Sequence, residues 1–323
     1  MPEISVLVIA YNVERYISRC LDSILGQSCH DIEIVVVDDG SSDGTGTILK
    51  DYAGRDQRVR VVSHPENKGT LQARMTAINA SKGKYIMFVD GDDTLKPYAC
   101  ERLLDEARRQ DADFVVAGYD VVYPDGTVSP EKNKLTYGSS SRDLIRSMVI
   151  YECTRYLCGR IFERRLFTEH PYEENRRIVY GEDQLLSYHT ALYVRKAVSI
   201  SDIVFDYYQH PSSLTNVERD KIARSLEDRV LVHSLTLSIL SGQDRDVLDK
   251  AEFDMISFYF RLIKKNRCGR RFLMRLVRNN SLAGLLSIGN LRRHLGLRKA
   301  LVYWAVFHIW PVAWVLYGRS WND

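Results

Sequence analysis

Short apolar runs alternate with amphipathic stretches along the first 120 residues of the chain. Because uninterrupted apolar runs of this length are typical of strands buried on both faces, each run predicts a strand. The predicted strands are Ile4–Ala10, Ile32–Val37, Val59–Val62, Tyr85–Val89 and Phe114–Gly118.

Apolar residues recur at helical spacing between these runs. From Val13 to Leu25 they form one stripe, and Asn12 precedes it as a candidate N-cap. Further helices are predicted over Thr70–Ala80 and Pro97–Arg109, with a shorter one around Leu49. Strands that alternate with helices predict an α/β fold with a doubly wound, mostly parallel sheet.

The pattern is less regular in the middle third of the chain. Asp125-Gly126 predicts a hairpin turn, and helices are predicted over 139–149 and from Glu182 to about 195. A strand is predicted over Ile200–Tyr208, and beyond Asp220 the pattern is wholly helical.

Polar residues collect where three predicted strands end. The first strand is followed by Tyr11-Asn12, the second by Asp38-Asp39 and the fourth by Asp90-Gly91-Asp92-Asp93. In an open α/β sheet, ligands bind outside the carboxyl ends of the strands, so these groups are expected to share one crevice. Each acidic cluster taken alone could also shape a turn or cap a helix.

Several nucleotide-binding motifs are missing from the sequence. It has no G-x-x-x-x-G-K-[ST] loop, which argues against a P-loop nucleotidase, and no G-x-G-x-x-G after the first strand, which argues against a dinucleotide oxidoreductase. Carboxylates cannot hold a phosphate directly, but they can hold one through Mg²⁺ or Mn²⁺. The acid-rich rim therefore favours a nucleoside diphosphate bound through a metal ion.

Five segments occur in a fixed order along the chain: SVLVIAYN (5–12), VVVDDGSSDGT (35–45), NKGTLQAR (67–74), GKYIMFVDGDD (83–93) and GEDQLL (181–186). This ordered set resembles glycosyltransferase family 2, whose members have the GT-A fold, and the resemblance covers about residues 3–215. It implies a catalytic domain over 1–215, divided into a nucleotide-sugar half, 1–119, and an acceptor half, 120–215, and followed by a helical region, 216–323.

The resemblance implies roles for residues of the first half. Ala10, Tyr11 and Asn12 match the segment that contacts the nucleobase and ribose, with Tyr11 stacked on the base. Asp39 matches the acid that hydrogen-bonds uracil, which suggests a UDP-linked donor.

The diphosphate and metal residues are implied in the same way. The backbone after Asn67 and the side chain of Arg74 match the stretch that lies against the diphosphate. Asp90-Gly91-Asp92 matches the DXD motif, with Asp90 on the ribose and Asp92 as the direct ligand of Mn²⁺ or Mg²⁺.

Glu182 and Asp183 match the acid pair near the acceptor, with Asp183 as the catalytic base. The chemistry calls for such a group, because the acceptor hydroxyl must lose a proton as it attacks the sugar. Attack from the face opposite the leaving group would invert the anomeric centre. The alternative is that both residues are first-turn acids that complement a helix dipole.

His210 follows the last predicted strand, at a place where family members often carry a His or Arg near the diphosphate. It is a candidate third metal ligand or phosphate donor, although a lone loop histidine is more often a surface residue. His64, His170 and His189 receive no role.

The formal net charge of +3 conceals a strong asymmetry along the chain. Residues 255–323 hold 13 basic side chains and a single acid, Asp323, and they also hold all four tryptophans. Nucleic acid, a solvated helical face and an anionic membrane surface could each explain this composition.

Basic and aromatic residues interleave before the uncharged run Ala300–Tyr317, which favours a membrane surface over nucleic acid. Since that run is short for a span and contains Pro311, helices lying in the interface are favoured over a transmembrane helix.

These features together predict an inverting, metal-dependent glycosyltransferase that acts on a glycan or lipid-linked acceptor in bacterial surface polysaccharide synthesis. The N-terminus lacks a signal-peptide pattern, so we expect a peripheral protein on the cytoplasmic face of the plasma membrane. A non-catalytic, membrane-docked binding or scaffold protein is the alternative from another class. A sugar nucleotidylyltransferase is a weaker one, because YNVER stands where its Gly-rich loop would be. The donor sugar, acceptor, linkage and oligomeric state are not predicted.

Overall fold

The computed structural model describes residues 1–136, 138–174, 176–210, 222–264 and 270–308. The strands among these residues are β1 Ile4–Ala10, β2 Ile32–Asp38, β3 Val59–Ser63, β4 Tyr85–Asp90, β5 Thr94–Leu95, β6 Phe114–Val122, β7 Val128–Glu131, β8 Arg160–Glu163 and β9 Ala197–Tyr208. The helices are α1 Ile17–Leu25, α2 Thr45–Arg55, α3 Thr70–Ala80, α4 Ala99–Gln110, α5 Ser141–Val149, α6 Arg165–Thr168, α7 Glu182–Ala191, α8 Ile222–Ile239, α9 Arg245–Lys264, α10 Arg270–Asn279 and α11 Ile288–His308.

The strands form one mixed sheet in the order β3-β2-β1-β4-β8-β6-β9-β5, and β7 pairs with β6. Strands β3, β2, β1 and β4 are mutually parallel, as the alternation of strands and helices predicts. Strand β8 is antiparallel to both of its neighbours, β4 and β6, whereas β6 and β9 are again parallel. The predicted α/β fold is confirmed, and the antiparallel strands are additions to it.

The core of the sheet explains the apolar runs. Every residue of β1 is buried, because the strand is central and helices cover both faces of the sheet. Helix α1 contributes the stripe Ile17, Cys20, Leu21 and Ile24 to this core.

The predicted start of the first helix is wrong. Helix α1 begins at Ile17, with Tyr16 as its N-cap, and Asn12 has a left-handed φ of 54°. The Asn12 side chain accepts a hydrogen bond from the Ser42 amide at 2.9 Å, so it joins two loops and does not cap the helix. The apolar spacing from Val13 continues through a tight turn, in which Ile17 N–H donates to Val13 O at 2.9 Å.

The later elements follow their predicted positions with shorter helices. Helix α5 starts with a capping box between Ser140 and Asp143, and the hairpin at Asp125-Gly126 joins β6 to β7. Helix α7 ends at Ala191, earlier than predicted. Strand β8 was not predicted, since it has only four residues and contains a buried arginine, Arg160.

The chain forms two compact units, Met1–Asn216 and Val217–Asp323. The described part of the second unit is helical, as predicted, and α8 to α11 each supply side chains to its core. Members of that core are Val230, Ile256, Tyr259, Leu273 and Phe307. Within the described residues, no helix combines the length and apolar character that crossing a bilayer requires. The end of the predicted interfacial run, with Trp310 and Trp314, lies outside them, as does Trp321.

Candidate functional site

The ends of β1, β2 and β4 meet at one edge of the sheet. In the register of the parallel strands, Ala10 lies opposite Asp38, and Ile9 lies opposite Asp90. The polar residues that follow these strands are therefore brought together, as the sequence pattern predicts.

The loops after β1 and β2 are tied to each other through Asn12. Its backbone N–H donates to Ser41 Oγ at 3.0 Å, while its side-chain oxygen accepts from Ser42 N–H. Ala10 is buried, and 47% of Tyr11 is exposed. The loop pair thus holds Tyr11 at the surface of the crevice with a ring available for stacking.

Asp39 anchors the segment that follows β3. It is 2% exposed and accepts hydrogen bonds from the backbone N–H groups of Lys68 and Gly69, both at 2.9 Å. His64 Nδ1 also lies 2.7 Å from its carboxylate, and His64 Nε2 lies 3.0 Å from Thr76 Oγ1. No pattern in the sequence predicts this role of His64. A uracil contact of Asp39 stays a prediction.

The same segment is covered by residues that precede α7. Gly69 has φ +91°, and a Cβ there would lie 3.0 Å from Arg177 Cγ and 3.1 Å from Ile178 O. Arg177 Nε donates to Asn67 Oδ1 at 3.2 Å. Only glycine allows this close approach, which places an exposed arginine beside Asn67.

Arg74 joins the strand-end acids to the acids of α7. Its side chain is 1% exposed, and Nη2 lies 3.1 Å from Asp90 Oδ1 and 3.0 Å from Asp183 Oδ1. Its Nε lies 3.5 Å from Glu182 Oε1. Three carboxylates from two separate elements therefore surround one buried guanidinium.

Burial and mutual charge shift the acids of this cluster. Burial, with the neighbouring charge of Asp183, raises the pKa of Glu182 to about 8. Burial raises the pKa of Asp183 to about 6, and the positive charge of Arg74 limits the rise. Burial alone would lower the pKa of Arg74, but the three carboxylates raise it well above its usual value. Asp183 retains 22% side-chain exposure against 8% for Glu182, so Asp183 is the more accessible of the two acids.

The Asp90–Asp93 turn is shaped by a close backbone contact. A Cβ at Gly91 would lie 3.0 Å from Ile9 O, which accepts the Gly91 N–H at 3.0 Å. Asp92 Oδ2 lies 2.8 Å from His210 Nε2, and the His210 ring stacks on Tyr16 with centroids 4.3 Å apart.

Asp92 and His210 are a candidate pair of ligands for a divalent cation at this edge of the sheet. A carboxylate oxygen and an imidazole nitrogen suit Mn²⁺, and both side chains keep some exposure, 24% and 11%. Asp90, Asp93 and Cys158 also offer ligand atoms within 4.8 Å of one another. In that group, however, burial raises the pKa of both the Asp93 carboxyl and the Cys158 thiol well above their usual values. A protonated thiol is a poor ligand for a hard cation, so this second group fits Mg²⁺ or Mn²⁺ less well.

Arg160 is a further buried cation that was not predicted. Its side chain is fully buried, and Nη2 donates to Thr154 O at 3.1 Å and to Thr154 Oγ1 at 2.8 Å. Its Nε and Nη1 atoms have no hydrogen-bond partner among the described residues. The positive charge of Arg160, like that of Arg74, limits the rise in the pKa of Asp183 that burial causes. A lone arginine inside the apolar run LCGRIF was the available signal.

The fold and this arrangement of acids define a GT-A protein. The profile of the family described as "Glycosyl transferase family 2" matches residues 5–199, more than half of the chain. The chain belongs to glycosyltransferase family 2, and the family resemblance seen in the sequence is confirmed.

Three known proteins illustrate the relationship. The chain is 33% identical over 221 residues to the uncharacterized glycosyltransferase EpsJ of Bacillus subtilis, covering 67% of this chain and 64% of EpsJ. The chain thus spans just under two thirds of the length of that relative. The crystal structure of S. aureus TarS 1-349 in complex with UDP matches with a TM-score of 0.64 and 21% identity, covering 95% of this chain and 90% of that one. The mannosyltransferase PcManGT of Pyrobaculum calidifontis, in complex with GDP-Man and Mn²⁺, matches with a TM-score of 0.55 and 17% identity, covering 98% and 78%.

Proposed function

We propose that the protein is an inverting, metal-dependent glycosyltransferase that moves a sugar from a UDP-linked donor to a glycan or lipid-linked acceptor. The observation that carries the proposal is the buried ion cluster in which Arg74 contacts both Asp90 and Asp183. The Arg74 guanidinium therefore lies between Asp90, in the motif proposed to bind the donor, and Asp183, the residue proposed to act on the acceptor.

The proposed donor site uses the sheet edge. Tyr11 stacks on the base, with Ala10 and Asn12 beside it, and the backbone from Asn67 lies along the diphosphate. Asp39 fixes the position of that backbone through its hydrogen bonds to Lys68 and Gly69. TarS, a structural neighbour, binds UDP, which supports a uridine nucleotide here.

Asp183 is the proposed base. An oxygen of the acceptor attacks the anomeric carbon, the bond from that carbon to the diphosphate oxygen breaks, and the acceptor proton passes to the Asp183 carboxylate. Glu182, with its pKa near 8, holds a proton at neutral pH and serves as a neutral neighbour of the base. Arg74 stabilises the negative charge that develops on the leaving diphosphate.

Asp92 and His210 are the residues proposed to hold Mn²⁺ or Mg²⁺. When bound, such an ion would neutralise the diphosphate. The Mn²⁺ in the structure of the neighbour PcManGT supports this assignment. The Asp90 carboxylate, which keeps 36% exposure, is proposed to contact the ribose.

The second unit is proposed to hold the catalytic unit, residues 1–215, against the cytoplasmic face of a bacterial plasma membrane. Exposed cations lie on α10 and α11, and α11 also carries two exposed apolar side chains, Ile288 and Leu301. This combination suits an interfacial contact with anionic lipid. The exposed cations are Arg275, Arg278, Arg292, Arg293 and Lys299.

A thermal-shift screen of nucleotide sugars with and without Mn²⁺ tests the proposal. A donor that binds only the folded protein raises its melting temperature, and we expect the largest shift from one UDP-sugar with Mn²⁺. UDP release from that donor then separates an enzyme from a binding or scaffold protein, which would show the shift without turnover. A screen in which no nucleotide sugar shifts the melting temperature would contradict the proposal.

A further inference from the structure

Two exposed tyrosine rings lie on the segment that joins α5 to β8. Tyr151 is 56% exposed and Tyr156 is 54% exposed. Tyrosine side chains in folded proteins are usually more deeply buried than this. No role has been assigned to either residue.

This segment is held firmly at its backbone. Thr154 N–H donates to the buried Asn133 side chain at 2.7 Å, and Arg160 donates to Thr154 O at 3.1 Å. Ser187 Oγ donates to Arg155 O at 2.8 Å. The exposed rings are therefore carried on an ordered backbone.

These anchors also place the segment beside the proposed base. Ser187 lies one turn after Asp183 on α7, and residues four apart share a face of a helix. The carbonyl of Arg155 thus contacts α7 one turn from Asp183, and Tyr156 is the next residue. Arg160, which holds Thr154, is the same buried cation whose charge acts on Asp183.

Tyr151 has a backbone conformation that is unusual for its residue type. Its φ is +65°, the left-handed region that normally selects glycine at the end of a helix. Both Glu152 N–H and Cys153 N–H donate to Ser147 O, at 3.0 and 3.1 Å, which closes the turn after α5. Strained residues of this kind cluster at binding sites, and here the strain presents an aromatic ring beside Arg155, whose guanidinium lies 4.4 Å from the ring centroid.

We propose that Tyr156, with Tyr151 on the same segment, forms an aromatic platform on which a sugar ring of the acceptor glycan stacks, so that its hydroxyl reaches Asp183. Tyr156 meets Tyr119 edge to face, with centroids 6.5 Å apart at 83°, which fixes the ring while leaving about half of it exposed. The C–H face of a pyranose packs on such a ring, and its hydroxyls suit the polar tip of Tyr156. This inference rests on the proposed transferase function, because it assumes an acceptor at Asp183.

The test is saturation-transfer NMR with chitobiose, cellobiose and lactose, on the full chain with UDP and Mn²⁺ present. We expect wild type to bind at least one of these sugars, Tyr156→Ala to weaken that binding by roughly tenfold, and Tyr156→Phe to retain it. Tyr193→Ala is the control, since Tyr193 is another part-exposed tyrosine, located beyond the far end of α7. The shift in melting temperature caused by UDP should be the same in all four proteins.

The outcomes separate the two proposals. If UDP binds but wild type binds none of the three sugars, or if Tyr156→Ala binds them as wild type does, the platform is refuted and the donor site stands. If UDP fails to bind the folded wild type, the proposed function fails instead. Loss of sugar binding in Tyr193→Ala as well as in Tyr156→Ala would also contradict the platform, because the effect would not be specific to Tyr156.

Discussion

Nη2 of Arg74, on α3, lies 3.0 Å from Oδ1 of Asp183, on α7. The Arg74 side chain is almost fully buried. The same guanidinium lies 3.1 Å from Asp90 at the end of β4. A buried charge that loses its partner strongly destabilises the folded protein. The contacts of Arg74 therefore couple the position of the proposed base to the position of the proposed donor motif.

Arg74→Ala is expected to lower the free energy of unfolding by about 3–5 kcal/mol, because it leaves buried carboxylates without a counter-charge. Urea unfolding measures the effect. Arg60→Ala is the matched control, since Arg60 is an exposed arginine whose ion pair with Glu33 is 3.9 Å long. The control should change stability by less than about 1 kcal/mol. Equal effects of the two substitutions would contradict the role given to Arg74.

The contribution of Glu182 to the stability of the ligand-free protein should fall as pH rises from about 4.5 to about 8. The folded protein keeps a proton on Glu182, whose pKa is raised to about 8, while the unfolded chain releases it near 4.5. The stabilisation is thus complete below the unfolded pKa and is lost as pH rises through the folded one. Glu182→Gln should reduce this slope by up to about 1.4 kcal/mol per pH unit. Glu101→Gln, which makes the same substitution at an exposed first-turn acid of α4, is the matched control, and an unchanged slope in Glu182→Gln would refute the assignment.

The Mn²⁺-dependent part of the thermal shift should require the side chains of Asp92 and His210. In titrations of Mn²⁺ with UDP held constant, His210→Ala should raise the Mn²⁺ concentration at half of the thermal shift by about tenfold or more. Asp92→Ala should abolish the metal-dependent part of the shift. His30→Ala, which removes an exposed loop histidine, is the control. If His210→Ala titrates as wild type does, His210 is not a ligand.

Membrane binding should depend on the charge of the second unit. Arg292→Glu with Arg293→Glu is expected to weaken sedimentation with phosphatidylglycerol vesicles by at least about tenfold, since each cation near an anionic surface contributes about 1 kcal/mol. Arg108→Glu with Arg109→Glu reverses an adjacent, exposed pair on α4 and should have little effect. Binding that survives high salt and the Arg292/Arg293 reversal would argue against an electrostatic contact.

The sheet and its acidic edge could be predicted because they depend on local patterns. Strands β1, β2 and β4 are continuous apolar runs, and parallel neighbours bring their carboxyl ends together whatever the details of packing. The ordered motifs then identified Arg74, Asp92 and Asp183 as candidates.

What could not be predicted depends on contacts between distant segments. Asn12 looks like a helix cap in the sequence, but in the structure its side chain binds the loop after β2. His64 contacts the Asp39 carboxylate, which lies 25 residues earlier in the chain. The position of Tyr156 depends on hydrogen bonds that Asn133, Arg160 and Ser187 make to its segment. The hydrophobic periodicity of the sequence does not predict such contacts, because each contact joins residues from different elements.

The most direct test of the account is the turnover of Asp183→Asn with its donor, Mn²⁺ and acceptor. The substitution keeps the size of the side chain but removes the proton acceptor, so kcat should fall by about 10²–10⁴-fold. The UDP-dependent thermal shift should persist, and Glu182→Gln should retain far more activity. If Asp183→Asn releases UDP and forms product at the wild-type rate, Asp183 is not the base and the mechanism proposed here is wrong.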